Sequence, residues 1–105
     1  MKTIQKIKVE NMTSNAGNPI PNQFVIDTPD GTYFQSYNSI IVFQPTNYIA
    51  FPTKETPEKQ RIHLDRDTWD YSNTTGKYRN QFLGETKKET QARIDSGVYI
   101  LADLN

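Results

Sequence analysis

The stretch from Trp69 to Lys88 concentrates the side chains with most to offer chemically. It holds Trp69, Tyr71, Tyr78 and Phe82 together with Lys77, Arg79, Lys87 and Lys88. From Lys77 to Arg93 there are five basic residues and two acidic ones. Aromatics interleaved with cations stack bases and track phosphates. The same residue types are enriched at protein-binding hot spots. In a chain with 34% apolar residues, Trp69, Tyr78 and Phe82 are also needed to pack helices onto a sheet. The expected partner-binding set is therefore Tyr71, Lys77, Arg79, Lys87 and Lys88.

Other arrangements fail on spacing. Gly76-Lys77 lacks the upstream glycine of a phosphate loop, because Tyr71 stands there, and Tyr78 replaces the required Ser or Thr. Asp65, Asp67 and Asp70 lie close together, but a calcium loop counted from Asp65 has Asp70 at its glycine position and Gly76 at its glutamate position. These acids read as turn residues paired with Arg61 and Arg66. His63 and Asp65 share a strand face, yet no nucleophile motif accompanies them. One His and no Cys exclude zinc sites built on several such ligands. No catalytic residue, cofactor or metal is expected, and the chain reads as a non-enzyme.

The elements that must position these residues are short. Thr3–Glu10 reads as a strand with Ile7 and Val9 on one face and a bulge near Ile4. Asn11–Pro21 reads as a loop, Asn22–Thr28 as a strand, and Pro29-Asp30-Gly31 as a hairpin turn into Thr32–Tyr37. Tyr33, Gln35 and Tyr37 then share a face that is either a half-exposed recognition surface or, as the leading reading, the face a helix covers. Ser39–Phe43 reads as a central strand apolar on both faces, and Tyr48–Phe51 as a short fifth strand. Pro52–Gln60 is a polar, proline-bearing loop. Arg61–Leu64 reads as a sixth strand. Thr75–Leu83 reads as a helix with Thr74 at its N-cap and Gly84 at its end. Thr86 and Glu89 form a capping box that opens a second helix to about Ser96, closed by Gly97. Val98–Leu101 reads as a final strand or docked tail.

The 105 residues make one domain, with the sheet over about 3–64 and the helical part over about 74–97. The expected fold is α+β: a curved antiparallel sheet of about five strands followed by two short C-terminal helices. A small SH3-like or OB-like barrel is the alternative closure. Formal net charge is zero, which disfavours a general polyanion binder. Residues 1–10 lack the apolar core of a secretory signal, and no apolar run approaches the ~20 residues of a membrane span. With cysteine absent, a cytoplasmic location is expected.

Two blocks carry a resemblance. One is Tyr33-Phe34-Gln35-Ser36-Tyr37-Asn38-Ser39-Ile40-Ile41. The other is Leu64-Asp65, then Trp69-Asp70-Tyr71-Ser72, then Thr74 to Glu85 and the helix Thr86–Gly97. Together they resemble small proteins of unknown function encoded by tailed phages and prophage-bearing gut bacteria. Pro52–Gln60 looks like an insertion in that pattern. The resemblance carries no catalytic or binding residue with it. It implies a phage or mobile-element accessory protein acting in the bacterial cytoplasm. The expected function is thus a non-catalytic protein-binding module for a host factor or phage assembly component, with homo-oligomers allowed and no membrane partner. Weak nucleic-acid binding through Lys77–Arg93 is the alternative.

Overall fold

A computed structural model describes residues 6–105. Among these residues six strands form one sheet in chain order: β1 (Lys8–Thr13), β2 (Pro19–Thr28), β3 (Gly31–Ser36), β4 (Ser39–Pro45), β5 (His63–Asp65) and β6 (Ile100–Ala102). Helices α1 (Asn73–Leu83) and α2 (Lys87–Asp95) connect β5 to β6. The architecture is α+β, as expected. The first five strands are antiparallel neighbours, and β5 and β6 are parallel. Two helices between β5 and β6 supply the long connection that a parallel pair requires. The sheet therefore extends past residue 64 to the last strand. Among the described residues its two edges, β1 and β6, do not pair, so they form an open sheet rather than the alternative barrel.

Strand boundaries differ from the sequence reading where pairing overrides composition. Asn11–Thr13 and Pro19–Pro21 are strand, because Asn11 pairs Phe24 and Thr13 pairs Pro19 across an irregularity in which residues 20–23 of β2 stand opposite Met12. The loop expected over Asn11–Pro21 shrinks to residues 14–18. The part of the first strand over residues 3–5, with its bulge at Ile4, lies outside the described residues. Pro29-Asp30 makes the β2–β3 turn as expected, with Thr28 paired to Gly31. Thr28 Oγ1 donates to the Gly31 carbonyl and accepts from the Asp30 and Gly31 amides, stapling the turn.

The core lies between one sheet face and the helices. Val25, Phe34, Val42, Leu64 and Leu101 occupy facing positions in successive strands. Phe34, Val42 and Leu64 are fully buried, and Phe82 of α1 stacks on Phe34 at 5.7 Å. β4 is central, but only one of its faces is covered by helices. Its doubled apolar pattern arises from a register shift opposite Phe34 and Gln35, which places Ile41 beside Val42 in the core. The helix-covered residues of β3 are Phe34 and Ser36, and the Ser36 hydroxyl meets Thr75 Oγ1 at 2.9 Å. Tyr33 and Gln35 therefore face away from the helices, opposite to expectation. Tyr37 leaves the strand altogether, in a turn at φ 55°.

Helix caps follow short-range chemistry. Thr86 and Glu89 form the full reciprocal capping box. The N-cap of α1 is Ser72, not Thr74, since Ser72 Oγ accepts from the Thr75 amide and the helix starts at Asn73. Gly84 ends α1 in the left-handed conformation at φ 69°. No helix among the described residues is long and apolar enough to cross a membrane.

Candidate functional site

The structure scatters the residue set expected to bind a partner. Tyr71 is 50% exposed just before α1, and Lys77 and Lys88 are exposed on the two helices. Lys87 is exposed as well but is tied to Asp70 at 2.8 Å. Arg79 corrects the sequence reading: it is 1% exposed. Its guanidinium lies over the Trp69 ring at 5.2 Å, and Nη1 donates to the Trp69 carbonyl. Nη2 donates to Asn80 Oδ1 at 3.0 Å, and Asp70 Oδ1 is 3.5 Å from Nη1. Burial lowers the Arg79 pKa, with Asp70 opposing the shift. Arg79 is thus an internal brace between α1 and the Trp69–Asp70 segment. Arg93 is likewise engaged, 3.2 Å from the buried Glu85 carboxylate. Among the described residues, Lys77 and Lys88 are the cations of this stretch with no carboxylate partner.

The acidic cluster also differs from expectation. Asp65 is 3% exposed and serves as a hub rather than a solvated turn acid. Its Oδ2 accepts from the Asp67 and Thr68 amides and the Thr68 hydroxyl, and its Oδ1 accepts from the Leu104 amide. Burial pushes its pKa up, but these hydrogen bonds outweigh that and hold it below the usual carboxylate range. Asp70 pairs with Arg79 and Lys87, not with Arg61 or Arg66.

The surface that stands out lies elsewhere, on the connection from β4 to β5. No strand forms over Tyr48–Phe51. The Pro45-Thr46-Asn47 turn and Pro52 deny the segment a ladder, and it remains irregular. Its apolar side chains face solvent: Tyr48 is 44% exposed, Ile49 40% and Phe51 93%. The loop is nevertheless anchored. The Thr46 amide and hydroxyl donate to the Asp30 and Pro29 carbonyls, and the Ile49 amide donates to the Gln60 carbonyl at 3.1 Å. A Thr53–Thr56 turn and a short 3-10 helix over Glu58–Gln60 follow. Arg61 Nη1 then donates to the Gly97 carbonyl at 2.6 Å.

The stem of this loop borders a cleft of about 580 Å³. Phe43 of β4 and His63 of β5 pair across the strands on the sheet face away from the helices, 5.9 Å apart by ring centres. Tyr33 stacks on Phe43 at 4.6 Å and extends the aromatic row. Pro29 and Pro45 add apolar wall, and Asp30, Thr46, Asn47, Glu58 and Lys59 form a polar rim. His63 Nδ1 is buried and has no partner among the described residues. Burial holds the His63 pKa below its ordinary value, so the ring is neutral at pH 7. The cleft therefore presents the Phe43 ring and one neutral imidazole inside a polar rim. It has the composition to seat an apolar side chain of a binding partner.

Sequence reasoning missed Phe51 because YIAF between turn signals mimics a short strand. It weighed His63 only as a catalytic base and left Phe43 unremarked, because their pairing across β4 and β5 is a tertiary contact. The signal that was available is the pairing of an apolar tetrapeptide with a following proline-bearing polar tract, which excludes a long strand there.

Residues 7–97 match the model of a family of unknown function, DUF8033. The chain belongs to that family. The match spans strands β1 to β5, the exposed loop and both helices, and ends before β6, so the loop and most of its scaffold fall within one family unit. No curated protein and no solved structure matches the chain.

Proposed function

We propose that this DUF8033 protein is a non-catalytic protein-binding module whose contact surface is the β4–β5 loop. The observation that carries the reading is Phe51, 93% exposed beside the exposed Tyr48 and Ile49 on an anchored loop. A phenylalanine so placed gives the fold little, and its exposed ring is suited to entering a partner's pocket. The adjoining cleft over Phe43 and His63 supplies a complementary recess. The nucleic-acid reading loses support, because Arg79 is buried and Lys87 and Arg93 are engaged by carboxylates. The phage or mobile-element setting suggested by the Trp69–Glu85 block is compatible with such an accessory module.

The test is selection from a random displayed-peptide library against the wild-type chain and the Phe51→Ala variant. The variant should keep the wild-type melting temperature, since it removes a side chain in water. Enriched peptides should bind wild type at least tenfold more tightly than Phe51→Ala. Peptides that bind both equally, or no enrichment on wild type, would contradict the reading.

A further inference from the structure

Strand β1 is an edge of the sheet, and among the described residues it pairs with β2 alone. An edge strand offers a free row of backbone N–H and C=O groups to another chain. Its two faces differ sharply. Ile7 and Val9 are 67% and 58% exposed on one side. Lys8 and Glu10 stand exposed on the other, paired to each other at 3.0 Å. We propose that this edge receives a second copy of the same chain, the two β1 strands running antiparallel about a two-fold axis at Val9.

Charge complementarity selects that register. With Val9 opposite Val9, Lys8 of each copy stands opposite Glu10 of the other, twice over by symmetry. An axis at Lys8 would set lysine against lysine, and an axis at Glu10 would set glutamate against glutamate. A slip of one residue would carry the apolar row of one copy onto the charged row of the other. The charges that guard the edge against other pairings are thus self-complementary in one. The register shift between Asn11 and Thr13, where residues 20–23 of β2 stand opposite Met12, distorts the far end of β1 and leaves Ile7–Asn11 for the ladder. In this arrangement Val9 continues the outward row through Ile26, Tyr33, Phe43 and His63 into the other copy. The interface does not involve Phe51 and stands independently of the loop's role.

The experiment is sedimentation equilibrium of the full chain over a wide concentration range, with circular dichroism to monitor folding. The wild-type mass should rise from 12.1 kDa toward twice that value with concentration. Lys8→Glu alone and Glu10→Lys alone should stay at the monomer mass while folded, because each sets like charges opposite at both positions. An equimolar mixture of the two variants should restore association, since every opposed pair is then of opposite sign. Phe51→Ala should associate like wild type. A wild type that stays monomeric, single variants that associate as it does, or a mixture that remains monomeric would each overturn the proposal.

Discussion

Arg79 illustrates how one residue changes role when its surroundings are known. A lone arginine between Tyr78 and Asn80 has no sequence mark of burial. Its position on the buried side of α1, together with Thr75 and Gly76, decides the matter. Removing the guanidinium leaves the Trp69 carbonyl and Asp70 without their donor. Asp70 keeps water access and Lys87, so Arg79→Ala should cost about 3 kcal/mol, the low end for breaking a buried pair. Chemical denaturation measures it, and a loss below about 1 kcal/mol would show that the brace is dispensable. His63 and Asp65 both have pKa values lowered by folding. In each case the unfolded chain binds the proton more readily, so stability falls as pH falls. The His63 contribution is complete above its ordinary value of 6.5 and declines below it; that of Asp65 is complete above 3.8 and is lost on further acidification. A melting-temperature profile should therefore bend near pH 6.5 and again below pH 4, with His63→Gln removing only the first bend. A profile flat from pH 7 to 5 would contradict the burial assigned to His63.

At the scale of elements, the capping box and the hairpin turn are local devices. Thr86 closes its box on Glu89, so Thr86→Ala should cost about 1 kcal/mol in a denaturant titration. Gly31 is required for a different reason. A Cβ there would lie against the Gln44 carbonyl and 2.9 Å from Pro45 Cα, both backbone atoms of β4. Gly31→Ala should therefore destabilise more than Thr86→Ala, and a variant as stable as wild type would contradict the close β3–β4 approach. These features were legible in the sequence because their residues are neighbours. So were both helices, the hairpin and the α+β class. The faces of β3 and β4 were not legible, because one extra residue at Ile41 reassigns which side chains meet the helices. The parallel β5–β6 pair was equally hidden, since the return of the chain through α1 and α2 is a tertiary event. Of the candidate site, the proline-bearing loop was visible, but the exposure of Phe51 was not.

For the molecule as a whole, twelve basic and twelve acidic residues leave no net field to attract a polyanion. Lys77 and Lys88, which among the described residues are the cations between Lys77 and Arg93 without carboxylate partners, would contribute a salt slope of about −1.6 in log affinity. Fluorescence anisotropy with short single- and double-stranded DNA should show no binding near physiological salt. Micromolar binding with a slope near −3 would restore the basic stretch as a site, because that needs about four phosphate contacts. The fold instead divides its labour, with helices sealing one sheet face and the β4–β5 loop presenting apolar groups beside an aromatic cleft. Site-specific photocrosslinking tests that division most directly. A benzophenone amino acid placed at Phe51, and in a separate chain at Lys77, is irradiated in the cells that encode the protein. A discrete protein adduct at position 51, absent at position 77 and suppressed by a library-selected peptide, is the predicted result; adducts at 77 with none at 51 would contradict it.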